Sequence, residues 1–179
     1  IHAQIYCHVA LLVGGIHNVM NALAAATAAY VLGLPGQAVS QGLASFTGAG
    51  RRFEYKGTYH GARIYDDYAH HPGELHALLQ MARSLGYQRI ICAFQPHTYS
   101  RTRALFDDFV RELQAADVVL LAEIYAAREK NTIGISSKDL AAQLPGSIYC
   151  PTLEDVTHHL RILARDGDLI LTVGAGNIY

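Results

Sequence analysis

The chain has few cysteines, almost no net charge and no long apolar run, and each shortage closes off a class of protein. Its three cysteines, Cys7, Cys92 and Cys150, are odd in number, widely spaced and never arranged as C-x-x-C. They give no disulfide framework and predict reduced thiols in a cytoplasmic protein. The formal net charge is −1, so no bulk field draws the chain to nucleic acid. Basic residues cluster only at Arg51-Arg52 and at Arg101 with Arg103. No apolar run approaches the roughly 20 residues that span a bilayer. The opening at Ile1 does not read as a secretory leader, and no membrane partner is expected. Repeats and low-complexity stretches are missing, and so is a G-x-x-G-K-[ST] phosphate loop. What remains, at 51% hydrophobic and 16% charged over 179 residues, is an ordinary globular chain. It is long enough to bury a sizeable core in one domain with an appendage.

Residues 1–13 carry β-branched and apolar side chains and read as one or two strands. Residues 18–32 are Ala-rich, with Leu23, Ala26 and Tyr30 at helical spacing, and stop at Gly33. Residues 36–46, after Pro35, read as a shorter helix. Thr47-Gly48-Ala49-Gly50 then breaks the pattern and marks a domain boundary. Beyond it, 52–59 and 61–68 read as strands joined by a tight turn at His60-Gly61. Helix and strand alternate from there: helices over 74–85, 102–115, 137–144 and 153–165, and strands over 89–94, 117–122, 147–150 and 168–173. Strands separated by helices of this length predict an α/β fold, Rossmann-like, with a mostly parallel, doubly wound sheet and right-handed crossovers. Gly174-Ala175-Gly176, after the last strand, reads as a ligand-facing turn. As a nucleotide signal it is weak, because a full G-x-G-x-x-G is missing.

The chemistry gathers where strands end. Asp66-Asp67-Tyr68-Ala69-His70-His71-Pro72 places two carboxylates, a phenol and two imidazoles between a strand and a helix. Gln95-Pro96-His97-Thr98-Tyr99-Ser100-Arg101-Thr102-Arg103 repeats the arrangement after the next strand. Both loops leave the carboxyl edge of the sheet, where α/β folds bind ligands. Adjacent strand residues face opposite ways, so Asp66 and Asp67 do not form one working pair. Each is a ligand contact or a cap or turn former. His70 and His71 admit structural, substrate-binding and metal readings, but adjacent histidines seldom share an ion, and no metal site is expected. Arg101 and Arg103 open a helix, where the dipole disfavours cations. Either they pair with Asp107 or Asp108, or they hold an anion at that helix start. Arg51-Arg52 is a surface turn or a ligand contact. Asn18 is an N-cap or, with Asn21, a ligand-reading amide. His158-His159 reads as solvated or capping.

These two loops, with Gly50-Arg51-Arg52-Phe53-Glu54 and residues 15–24, resemble the Mur ligases, and the resemblance runs over 11–179. Both motifs, in this order and spacing, are specific to that family. The resemblance implies an ATP-dependent, amide-bond-forming enzyme of peptidoglycan precursor synthesis. ATP would phosphorylate the lactyl carboxylate of UDP-N-acetylmuramate, and the amine of L-alanine would displace phosphate. The cofactors implied are ATP and Mg²⁺. Tyr68, His97 and Arg101 match amino-acid-binding positions, and His70 a catalytic one. Asn18, Asn21, Arg52 and Asp67 match nucleotide-binding positions, Asp67 at the ribose. Thr98 stands where many relatives have Arg, so either one Arg holds the carboxylate or the Thr98 hydroxyl substitutes. Gly73 stands where Thr is common, at the cost of a possible helix cap.

Family members have three domains. The resemblance therefore implies that residues 1–47 are the tail of a central ATP-binding domain. Residues 48–179 would be a carboxyl-terminal, amino-acid-binding domain cut short at its end. Most of the Mg²⁺ and phosphate site would lie outside this chain, and Arg52 and Asp67 would reach the nucleotide on domain closure. Two alternatives stay open: a ligase acting on murein tripeptide in wall recycling, and a stand-alone binding module without catalysis.

Overall fold

The computed structural model describes residues 4–179. They divide into two compact units, one ending at Ala49 and the other running Gly50–Tyr179.

The first unit holds two helices, α1 (Ile16–Val31) and α2 (Gly36–Ala44). Alanine favours α1 along its length. The helix stops before Gly33, whose φ of 75° suits the left-handed position after a helix end. It starts earlier than the spacing predicts, on Gly15, so Asn18 is not its N-cap. The Asn18 side-chain amide instead donates back to the Gly14 carbonyl at 2.7 Å. No strand forms over residues 4–13, against expectation, and residues 1–3 lie outside the described residues. A strand needs a ladder partner, and the described residues of this unit offer none. Tyr6 instead packs edge-on against Tyr30 at 5.1 Å and donates to the Leu34 carbonyl at 2.6 Å. α1 buries none of its residues and leaves Met20, Leu23 and Val31 exposed.

The second unit is built on β1 (Glu54–Tyr59), β2 (Ala62–Asp67), α3 (Pro72–Ser84), β3 (Arg89–Phe94), α4 (Tyr99–Ala104), α5 (Phe106–Leu113), β4 (Val118–Ala122), α6 (Ser137–Ala142), β5 (Ile148–Cys150), α7 (Leu153–Leu163) and β6 (Asp168–Val173). One six-stranded sheet has the order β1-β2-β6-β3-β4-β5. Only β1 runs antiparallel to its neighbour, and the other pairings are parallel. This is the predicted mostly parallel α/β sheet. The β1–β2 turn has positive φ at both His60 (50°) and Gly61 (82°), as a two-residue hairpin turn requires. The single helix expected over 102–115 is two helices, broken at Leu105. Asp107 and Asp108 in the first turn of α5 favour a fresh helix start there.

Side chains alternate across the strands. Ile90, Cys92, Phe94, Leu121, Leu169 and Leu171 join Leu75 and Leu79 of α3, Phe109 of α5 and Leu140 of α6 in one apolar layer. Ala93, Leu120 and Ala122 face the other way onto Val156 of α7. Helices thus cover both faces. The loops after β2, β3, β4 and β6 all open at the carboxyl edge of the parallel strands.

One buried ion pair holds that edge. The register sets Asp66 beside Thr172 and Asp67 beside Val173. Fully buried, Asp66 accepts from Arg51 Nε at 2.8 Å and from Thr172 Oγ1 at 3.0 Å. The same guanidinium donates to the carbonyls of Gly174 (2.6 Å) and Gly176 (3.1 Å) and lies over the Tyr179 ring at 4.2 Å. The turn after β6 is therefore clamped from inside. Gly174 has φ 149°, and a Cβ there would come within 2.6 Å of the Gln95 carbonyl oxygen. That glycine serves close packing against the β3 loop.

Asp66→Ala leaves a partly buried guanidinium without its anion and should cost about 3–5 kcal/mol in urea unfolding. Gly174→Ala should cost at least about 2 kcal/mol through backbone strain and the clash with Gln95. An Asp66→Ala chain within about 1 kcal/mol of the parent, an ordinary surface effect, would discard the clamp.

Candidate active site

The loop after β2 is fixed before it carries any chemistry. Asp67 Oδ2 accepts from the Phe53 amide and Oδ1 from the Ala69 amide, both at 2.8 Å. Burial pushes the Asp67 carboxyl up, against the pull of those two amides and the Arg52 charge. His70 Nδ1 lies 2.9 Å from the Tyr68 carbonyl, which can only accept. Nδ1 can therefore only donate there, so the neutral tautomer carries its proton on Nδ1 and a lone pair on Nε2. Glu74 Oε2 accepts from the amides of His70 (2.9 Å) and His71 (3.2 Å). Burial alone would raise Glu74, but the His70 amide and the charges of His70 and Arg52 hold it below the usual carboxylate range. His71 accepts from Gly73 N at 3.2 Å and forms a capping box with Glu74, with Pro72 at the first helical position. The helix is capped after all, by His71 in place of the Thr.

The loop after β3 brings the cation. Arg101 Nη1 donates to the His97 carbonyl at 2.8 Å and lies 3.3 Å from His97 Nδ1. Of the two alternatives, the pairing with Asp107 or Asp108 does not form; Asp108 binds Arg111 at 2.7 Å. Among the described residues, no carboxylate pairs with Arg101. Burial, then the Arg101 charge and His70, push the His97 pKa down, which keeps its imidazole neutral near pH 7. The His70 and His97 ring centroids are 6.0 Å apart, and Tyr68 meets His70 edge-on at 5.4 Å. Tyr68, His70, His97 and Arg101 thus form one continuous line across two loops.

A third loop, after β4, was not singled out from the sequence. Tyr125 N donates to the Pro96 carbonyl at 2.8 Å, and its ring stacks on His97 at 5.6 Å and 16°. Glu129 accepts from Ser100 N (2.9 Å), Thr98 Oγ1 (2.8 Å) and Ser100 Oγ. Those hydrogen bonds hold its carboxyl at about 2. Two corrections follow. The Ser100 amide at the head of α4 is already taken by an internal anion and is not free for a substrate carboxylate. The single Thr98 hydroxyl proton goes to Glu129 and cannot substitute for an Arg toward substrate. The carboxyl-edge argument that found the first two loops applies equally to this one. Its sequence lacks only the histidines that drew attention to the others.

Among the nucleotide-binding candidates, Arg52 is half-exposed, 3.7 Å from Glu74. Asn18 and Asn21 lie on α1 in the first unit. Among the described residues, no group of three or more His, Cys, Asp or Glu converges to hold a metal, and no helix is long and apolar enough to cross a membrane.

The loops can be compared with known proteins. A UDP-N-acetylmuramate–L-alanine ligase of Agathobacter rectalis is 49% identical over 174 residues, 95% of this chain and 38% of that protein. One of Caldanaerobacter subterraneus is 44% identical over 176 residues, again covering 38% of its length. The chain thus spans well under half the length of these relatives. A UDP-N-acetylmuramate–alanine ligase structure from Thermotoga maritima superposes with a TM-score of 0.77 at 30% identity, over 97% of this chain and 37% of that one. A murein peptide ligase from Psychrobacter arcticus shares the fold, with a TM-score of 0.70 at 24% identity over 94% of this chain and 36% of that one. The family model described as Mur ligase, glutamate ligase domain matches residues 51–176, and the chain belongs to the Mur ligase family.

Proposed function

We propose that this chain is the amino-acid-binding end of an ATP-dependent ligase that joins L-alanine to UDP-N-acetylmuramate in peptidoglycan precursor synthesis, in the cytoplasm. The observation that carries this reading is Arg101, a guanidinium without a carboxylate partner, placed beside a neutral His97 and across from His70. Such a cation suits the carboxylate of a free amino acid, and a charge-assisted pair fixes its direction. His97 Nε2–H would donate to the same carboxylate, and Tyr68 and Tyr125 would wall the site. With the carboxylate held at Arg101, His70 Nε2 would accept the proton that the amine must lose to attack an acyl phosphate. Positioning supplies the rest, since phosphoryl and acyl transfers of this kind gain most from fixed geometry and charge.

On the nucleotide side, Arg52 fits an anionic ligand, being half-exposed with only a long contact to Glu74. Asp67 would accept from ribose hydroxyls with the lone pairs its two amide bonds leave. Asn18 and Asn21 are proposed to read the base from α1. ATP, when bound, supplies the phosphoryl group. The described carboxylates do not converge on a Mg²⁺ site, and no step here is routed through the ion. Residues 1–47 are proposed as the tail of the ATP-binding domain, a role that suits the exposed apolar face of α1.

The test is a ligase in which this chain replaces the matching segment of the Agathobacter rectalis relative. L-alanine-dependent phosphate release should survive the exchange. In it, Arg101→Ala should raise the KM for L-alanine about ten- to a hundredfold, the loss of a charged hydrogen bond, with the KM for ATP unchanged. Arg52→Ala should do the reverse. An unchanged alanine KM in an active Arg101→Ala enzyme would end the reading.

A further inference from the structure

α4 is held at its start by a residue that is not part of it. Its N-cap, Thr98, makes no side-chain cap bond of its own. A helix start leaves amides without partners, and a side-chain oxygen normally takes one. Here that oxygen comes from Glu129, on the loop between β4 and α6. Oε2 accepts from the Ser100 amide, while Oε1 accepts from the hydroxyls of Thr98 and Ser100.

The loop is built to present that carboxylate. At its base, Glu123 accepts from Ile124 N (2.8 Å), Ser136 Oγ (2.7 Å), Ser137 N (3.2 Å) and Tyr149 Oη (2.6 Å). Further along, Asn131 Oδ1 accepts from the amides of Gly134 (2.9 Å) and Ile135 (3.3 Å). Ala127 sits in the left-handed region, φ 52°, which an L-residue rarely adopts without a reason. That turn lies between Tyr125, stacked on His97, and Glu129, bound to Ser100. One rigid loop therefore touches both residues that flank the guanidinium: His97, its hydrogen-bond partner, and Ser100, its neighbour in the chain.

We propose that Glu129 is a positioning residue: it caps α4 from outside and so fixes the Arg101 guanidinium for the amino-acid carboxylate. It does not touch the substrate. The proposal rests on the assignment of Arg101 to the amino acid. Glutamate is required because three donors converge on two oxygens. A glutamine keeps one acceptor oxygen and must leave one side of the cap unmade.

Steady-state kinetics in the same exchanged ligase test it. Glu129→Gln should raise the KM for L-alanine about tenfold, as for a lost charged hydrogen bond, and Glu129→Ala should raise it further. The KM for ATP should hold. Ser100→Ala removes a single donor and should give a smaller rise, and it decides the matter if Glu129→Ala does not fold. The double variant Ser100→Ala with Glu129→Gln should fall short of the two effects combined, because they break one contact. Equal losses in kcat and both KM values, or full additivity, would mean a merely structural cap and overturn the proposal. An unchanged alanine KM in Glu129→Gln, alongside a raised one in Arg101→Ala, would overturn it while sparing the assignment of Arg101. An unchanged alanine KM in Arg101→Ala would remove both.

Discussion

The carboxyl edge of the sheet depends on Arg51 and Asp66. A fully buried carboxylate is tolerated only when paired and hydrogen-bonded, and Asp66 is both, through Arg51 and Thr172. The guanidinium then ties the end of β2 to the turn after β6 through two carbonyls. It also lies 5.0 Å over the Tyr68 ring, the first aromatic of the candidate site. Replacing this pair by apolar residues could keep the sheet stable. It would not reproduce a fork that fixes a strand end, a glycine turn and an aromatic ring at once. The pair is specificity in the backbone, placed where loops begin.

The charges near this edge divide by what holds them. Arg51 and Asp66 are committed to each other, and Asp67 to two amides. Glu74 serves the loop amides of His70 and His71 while keeping a long contact to Arg52. Arg101 is a cation without a close carboxylate among the described residues, and Arg52 has only the long contact. A surface pair such as Arg111 with Asp108 contributes little either way. An arginine held beside a neutral imidazole and a carbonyl keeps its charge uncompensated, and an anionic ligand can use it.

Much of this was legible in the sequence, for identifiable reasons. Strands β3 and β6 were found with the right bounds because buried parallel strands are continuous apolar runs, 89–94 and 168–173, set off by polar turns. The break at Leu105 was not legible, because no Gly or Pro marks it; Asp107 and Asp108 favour a helix start there only once the break is known. Residues 4–13 misled because β-branched content signals a strand only where a partner exists. Within the site, Tyr68, His70, His97 and Arg101 announced themselves by residue type in strand-end loops. Glu129 did not, since a glutamate in a polar loop has no periodicity and its meaning lies in partners some 30 residues earlier in the chain. The same holds for Arg51 against Arg52. Two adjacent arginines are indistinguishable until the fold shows that one is clamped to Asp66 and the other half-exposed.

The three loops reach one geometry by different means, and the difference bears on how such a site can work. The β2 loop is held by backbone amides on Asp67 and Glu74, the β3 loop by an external cap, and the β4 loop by Glu123 at its base. Apolar packing adds to this at Ala69, Ile124 and Ile135, which are buried. Each hydrogen bond is modest, but ordering these loops before a ligand arrives removes an entropy cost that binding would otherwise bear. For a substrate as small as a free amino acid this matters more than for a large one, since few contacts are available to offset that cost. A small ligand recognised through one carboxylate and one amine needs its cation and its base already at fixed separation. In the proposed reading, the sheet edge, through Arg51 and Glu129, would fix that separation.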